Sequence, residues 1–414
     1  MKQVWILNHY AQEPGGAGGT RHFHLAEHLL AHGWHTTIIA ASVDHATGRQ
    51  RLGSHEAQRH ETIRGVPFLW VKTPAYAGNG GSRVRNMLAY TWGTLSRRSL
   101  AVLPRPDVVI GSSVHPFAAV AGALLARRYR VPFIFEVRDL WPQTLVDMGR
   151  LRDGAVLTRV LRRLELWLYR RAARTVAVLP LAWQYIVPLG IARERVVWIP
   201  NGVDLSLFPP ATPPREPEDA IFTLMYFGAH GQANGLNTLL QAMALLRRSP
   251  QGARIRLRMI GDGPQKPELM AQAAEDGLDN VSFEPQVAKR QIPYLAAQAD
   301  IFVITVLDLP GLYRFGISMN KLFDYLAAGR PIVMASGAAN NPVAEARAGL
   351  TVPPGDPQAL AEAILQMAAT PLAERQRMGA AGRQYVEQHH GFGQLAGRLA
   401  EVLDTVRSEP GGRP

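Results

Sequence analysis

The chain has 414 residues, of which 47% are hydrophobic and 19% charged, with no cysteine and a formal charge of +12. That length accommodates two or three domains with cores of their own, and the missing cysteines exclude disulfides, thiol catalysis and thiolate-bound zinc. Met1 leads straight into an apolar strand pattern and no apolar run reaches the roughly 18–20 residues that cross a bilayer, so neither a leader peptide nor a spanning helix is expected.

The charge is uneven. Residues 1–200 carry 26 Lys and Arg against 12 Asp and Glu, whereas residues 201–414 carry 19 against 21. Arginine pairs recur at 97–98, 127–128, 162–163 and 170–171. Such a first half suits an anionic partner: a membrane surface, a pyrophosphate-bearing substrate or a nucleic acid. No nucleic acid is expected, because the chain has neither a recognisable binding module nor a dense basic-aromatic strip.

In chain order, strands are predicted at 4–10, 36–42, 67–73, 108–113, 132–137, 175–179 and 196–199, with amphipathic segments between them. The first helix runs from a Thr20 cap to His32 and stops at Gly33. Before it lies a glycine loop with Gly16, Gly18 and Gly19, whose small residues admit a close ligand. The spacing is not G-x-G-x-x-G and no acidic residue ends the second strand, so a dinucleotide site is disfavoured. His24, Glu27 and His28 match H-x-x-E-H, but a helix following a glycine loop and a parallel strand is the wrong setting for a zinc peptidase. No metal site is expected.

Glu136 ends and Arg138 and Asp139 follow an apolar strand, where α/β proteins place working groups; a structural Arg–Asp pair is the alternative to a role facing sugar or acceptor. Asn201-Gly202 reads as a turn closing the first domain, ahead of a proline-rich linker at 209–217.

The second half repeats the scheme, with strands at 222–227, 255–260, 281–284, 301–306 and 331–335 and helices at 236–247, 266–276, 289–297, 318–328 and 357–369. Glycine turns follow its first two strands: Gly228, His230 and Gly231, then Gly261 and Gly263. The most telling segment is 315–331. A glycine turn leads into a helix opening near Ser318, with Asn320 and Lys321 at its start and Asp324 further in, ending at Gly329. Free amides at a helix N-terminus suit a phosphate, and a carboxylate one to two turns on suits ribose hydroxyls. One long amphipathic helical stretch, 371–407, and a frayed tail complete the chain.

Together the 15–22 loop, Arg138-Asp139-Leu140-Trp141-Pro142, the Asn201-Gly202 turn, the glycine turns and 320–331 resemble retaining glycosyltransferases of family four. The nearest resemblance is to bacterial surface-polysaccharide transferases of N-acetylfucosaminyl type. The resemblance implies an α/β GT-B fold, two Rossmann-like parallel-sheet domains across a cleft. An acceptor domain would span 1–205 and a nucleotide-sugar domain 206–385, with a C-terminal segment, 386–414, crossing back to the first domain. It implies a UDP-sugar donor, a glycan or polyprenyl-diphosphate-linked acceptor, no cofactor, and a cytoplasmic location at the inner membrane face.

The donor would meet Gly16, Gly18, Gly19, Gly228, His230, Gly231, Gly261, Gly263, Ser318, Asn320, Lys321 and Asp324. The acceptor would meet His9, Arg21, Glu136 and Arg138, and Arg138, Asp139 and Lys321 would act in catalysis. The family's first donor-side glutamate is absent, since Gly316 holds its place; by offset, Ala229 and Asn234 replace its diphosphate-binding arginine and lysine. A UDP-sugar epimerase is the alternative enzyme, and a nucleic-acid-binding protein the alternative outside catalysis.

Overall fold

The computed structural model describes all residues except 16–18, 46, 77, 79, 114, 210–220 and 410–414. Gly16, Gly18 and most of the proline linker therefore lie outside the described residues. The chain forms two compact units, Met1–Asn201 with Phe392–Pro414, and Gly202–Gly391.

The first unit is built on eight strands: β1 (Lys2–Leu7), β2 (Trp34–Ala41), β3 (Gln58–Ile63), β4 (Val66–Val71), β5 (Val108–Ser113), β6 (Phe133–Val137), β7 (Arg174–Ala177) and β8 (Val196–Trp198), in the order β3-β4-β2-β1-β5-β6-β7-β8. All pairings are parallel except β3–β4. The central strands β5 and β6 are buried throughout, as parallel strands covered on both faces require. Val4, Ile6, Val108, Ile110, Ile134 and Val176 pack with residues of the helices Arg21–Leu29 and Phe392–Ser408. Gly111, alternating to the other face, lies against Ala119 of the helix Pro116–Tyr129.

Several features depart from the expected pattern, among them a strand at Gly349–Val352 that was not expected. Strand β3, with the polar sequence Gln-Arg-His-Glu-Thr-Ile, has no apolar periodicity to announce it; an edge strand needs none. It pairs through a two-residue hairpin in which Arg64 (φ 48°) and Gly65 (φ 84°) both take left-handed backbone. The expected helix at 371–407 is two, Leu372–His389 and Phe392–Ser408. Between them the backbone pairs with Val203, whose amide donates to the His390 carbonyl at 2.9 Å. The last helix is fastened to the first unit by Lys2 and the Trp34 indole on Asp404, at 2.5 and 3.1 Å, and by Phe392 stacked on His24.

The second unit has six parallel strands: β9 (Phe222–Phe227), β10 (Ile255–Ile260), β11 (Val281–Glu284), β12 (Ile301–Thr305), β13 (Ile332–Ala335) and β14 (Gly349–Val352), ordered β11-β10-β9-β12-β13-β14. The order reverses between β9 and β12. The carboxyl ends of strands flanking such a switch are where open α/β sheets hold ligands.

Candidate active site

The second unit assembles its site from loops leaving β9 and β10 and from the helix Asn320–Ala327. After β9, Gly228 (φ 153°) turns the chain, and residues 229–235 lead into the helix Leu236–Arg248. After β10, Gly261 (φ 147°) and Gly263 (φ 157°) bring a second loop against the first. The His230 amide donates to the Asp262 carbonyl at 2.8 Å, and the Gln265 amide donates to the His230 carbonyl at 3.0 Å. A Cβ on Gly261 would fall 2.1 Å from the Gly228 carbonyl oxygen, and one on Gly263 2.5 Å from that of His230. These two glycines, expected against a ligand, are required by loop-on-loop packing.

The helix begins at Asn320, two residues beyond the expected start at Ser318; its N-cap is Met319 and no side chain caps it. The loop before it is pinned by Asn340, whose Oδ1 accepts from the Ile317 amide at 2.7 Å. Lys321, in the first turn, crosses back over Gly228, where a Cβ would lie 3.3 Å from its stem. Its Nζ donates to the Tyr226 hydroxyl at 2.7 Å and to Asn234 Oδ1 at 2.6 Å, and sits 4.5 Å above the Tyr226 ring. No carboxylate of the described residues pairs with it, and burial brings its pKa down to about 7. Tyr226 in turn donates to the Ala229 carbonyl at 2.8 Å, making one network of strand end, loop and helix.

Asp324 is buried and holds Lys289 through Oδ2, while its Oδ1 has no protein partner. His230 is fully enclosed with both ring nitrogens unpartnered; burial first, then the nearby Lys266, lowers its pKa to about 4, so it is a neutral imidazole at pH 7. The structure thus brings Gly228, His230, Gly261, Gly263, Asn320, Lys321 and Asp324 onto neighbouring elements. Tyr226 and Lys289 had no signal in the sequence. A tyrosine in an apolar strand reads as core, and a lysine at the start of a short helix reads as solvated.

In the first unit the expected acceptor group separates into three. Arg21 is enclosed: its Nε donates to Glu136 Oε1 at 2.9 Å, and its Nη atoms to the Ile199 and Pro200 carbonyls. The other Glu136 oxygen accepts from His22 Nε2 at 2.5 Å, while Asn8 Nδ2 donates to His22 Nδ1 at 2.8 Å. Burial opposes the Glu136 charge, but His22, Arg21 and Arg138 hold its pKa well below the usual carboxylate range. Arg21 and Glu136, expected to face the acceptor, thus form a buried brace joining β6 to the residues after β8.

Arg138 stands beside Gly19, its guanidinium 3.7 Å from where a Cβ would lie, and its amide meets Ser113 Oγ at 3.3 Å. Asp139, next in the chain, is exposed. His9 lies elsewhere, its Nδ1 paired with His115 Nε2 at 2.8 Å; burial, then His115, keeps it neutral. The H-x-x-E-H residues serve packing: His24 stacks on Phe392 and Glu27 pairs with Arg64 at 2.7 Å.

Two parallel-sheet α/β units with these loops define the GT-B fold. Residues 16–202 match the model of the glycosyl transferase 4-like domain, and residues 221–370 that of glycosyl transferases group 1. A probable glycosyltransferase of Pseudomonas aeruginosa, WbjE, is 26% identical over 301 residues, 69% of this chain and 71% of the relative. Among solved structures, sucrose-phosphate synthase from Thermosynechococcus elongatus superposes with a TM-score of 0.75 at 18% identity, covering 98% of this chain and 99% of the other. HepE from Anabaena, solved in complex with UDP, superposes with a TM-score of 0.67 at 17% identity, covering 98% and 100%. The protein is a GT-B glycosyltransferase, a class that moves sugars from nucleotide donors.

Proposed function

We propose that this chain transfers a sugar, an N-acetylated amino sugar on the resemblance of its motifs, from a UDP-sugar to a glycan or lipid-linked acceptor, with retention of configuration. The second unit takes the donor and the first unit the acceptor.

One observation carries the donor assignment. A desolvated ammonium without a counter-charge, Lys321, lies at the uncapped start of a helix beside the loop after β9. A diphosphate is the ligand that suits it, because it supplies the missing charge and accepts from both the ammonium and first-turn amides. By offset, Asn234 stands where the resembled family has a lysine. Lys321 Nζ touches that asparagine, so the charge is delivered from the neighbouring helix instead. The likeness to HepE with UDP favours uridine. Asp324, with Lys289 on one oxygen and the other unpartnered, is the proposed ribose contact.

As the glycosidic bond breaks, charge accumulates on the β-phosphate, and donors already aimed at it stabilise that state most. Lys321 and the helix amides fill this role without a metal. Arg138 and Asp139 are proposed to meet the acceptor, with Glu136 and Arg21 holding the strand end from beneath. Action at the inner face of the cytoplasmic membrane follows from a lipid-linked acceptor.

The test is a thermal-shift panel of nucleotides and nucleotide sugars, since a ligand of the native state raises the apparent Tm. UDP and UDP-sugars are expected to raise it, and Lys321→Met to reduce the shift at a given ligand concentration. A response to another nucleotide alone would overturn the choice of base; no response to any would overturn the donor site.

A further inference from the structure

The helices Gly81–Leu95 and Val156–Arg171 flank Pro116–Tyr129 in one layer of the first unit. They hold 15, 14 and 16 residues, yet carry seven of the fourteen exposed large hydrophobic side chains among the described residues. On the first helix, Val84, Leu88 and Trp92 form an outward stripe at i, i+4 and i+8, with Trp92 75% exposed. On the third, Val156, Leu157 and Val160 emerge together near its start, Val156 being 68% exposed. Leu124 is exposed on the helix between them.

The charges on this layer have one sign. The three helices contain nine arginines, no lysine and a single carboxylate, Glu165, which is buried. Arg162 is used internally, bonded to Asp153 at 2.5 Å and Gln143 at 3.0 Å. Arg85, Arg127, Arg159, Arg163, Arg170 and Arg171 are exposed. Beyond the first helix, Arg97 and Arg98 continue the basic edge, and no Asp or Glu occurs between Glu61 and Asp107.

We propose that the outer surface of this helix layer docks on an anionic lipid bilayer. Single exposed apolar residues are ordinary, but rows of them set among guanidiniums are not. An amphipathic surface of aromatic and aliphatic side chains ringed by arginine enters the headgroup boundary, the arginines bonding lipid phosphates. No helix of the described residues is long and apolar enough to cross the membrane, so the contact is superficial. A second copy of the chain is a poor occupant, since it would bring like-charged faces together. This deepens the membrane role proposed above, and it is testable without donor or acceptor.

The full chain is sedimented with vesicles of phosphatidylcholine alone and of phosphatidylcholine with phosphatidylglycerol. It is expected to pellet only with the second, and less so as salt rises. Two variants are compared, Leu88→Ser with Trp92→Ser, and Arg97→Gln with Arg98→Gln; each lost arginine is expected to cost about fivefold in vesicle affinity. A control, Arg254→Gln with Arg256→Gln in the second unit, is expected to bind as wild type. Wild type that ignores anionic vesicles, or layer variants that bind as well as wild type, would overturn the proposal. So would a sedimentation-velocity dimer that the same variants break while vesicle binding persists. A failed nucleotide panel with intact vesicle binding would indict the donor reading alone.

Discussion

Lys321 is the side chain on which donor binding turns, and its environment gives it a signature in protons. Burial lowers its pKa to about 7, so in the free protein its charge fades as pH rises through that value. A bound diphosphate favours the ammonium and pulls the pKa back up. Binding at pH 8 should therefore take up most of a proton, about nine-tenths, whereas binding at pH 6 should take up almost none. Calorimetry of UDP binding in two buffers of different ionisation enthalpy measures this. In Lys321→Met the uptake should vanish and UDP affinity fall at least about tenfold, as expected for losing a charged hydrogen bond. Uptake that survives the substitution would assign the proton to another group.

The elements around this lysine owe their geometry to the touching loops after β9 and β10. Because the Gly261 Cα sits against the Gly228 carbonyl with φ at 147°, Gly261→Ala meets both a steric clash and an unfavourable backbone. A cost of about 2–4 kcal/mol is expected, read as a lower denaturation midpoint, together with weaker donor binding through the displaced Gly228 loop. Gly231→Ala is the comparison, since its Cβ would meet nothing closer than 3.9 Å. Equal stability of the two variants would refute the packing account. Most strand and helix positions here were legible in the sequence, because parallel strands and amphipathic helices write their periods locally. Strand β3 was not, being polar and fixed by its hairpin with β4. The break at His390-Gly391 was not either: it exists because the chain there pairs with Val203, far away along the sequence.

At the scale of the molecule, one buried acid is expected to shape the dependence of stability on pH. Glu165 accepts from the Tyr169 and Tyr185 hydroxyls at 3.1 and 2.8 Å, yet burial pushes its pKa from 4.5 up to about 8. The folded state then binds a proton that the unfolded state releases between those values. Stability contributed by this group is full below about pH 4.5 and is lost as pH climbs towards 8. Glu165→Gln keeps an acceptor for the tyrosines and cannot ionise. Its melting temperature should fall less than that of wild type between pH 5 and 8, and exceed it at pH 8. Parallel curves would show that the carboxyl keeps its ordinary pKa.

By itself the sequence determined the α/β class, the order of the elements, the glycine turns at 228, 261 and 263, and a first half rich in arginine. Each is a local signal: a period, a residue without a Cβ, a count of charges. What the functional side chains touch was decided only by tertiary structure. Asp324 reads as a free carboxylate until the fold brings Lys289, 35 residues earlier, onto one of its oxygens. Arg21 reads as an acceptor contact until the Ile199 and Pro200 carbonyls and Glu136 close around it. Hydrogen bonds act over a few ångströms in space, and the chain distance between their partners leaves no trace in either stretch of sequence.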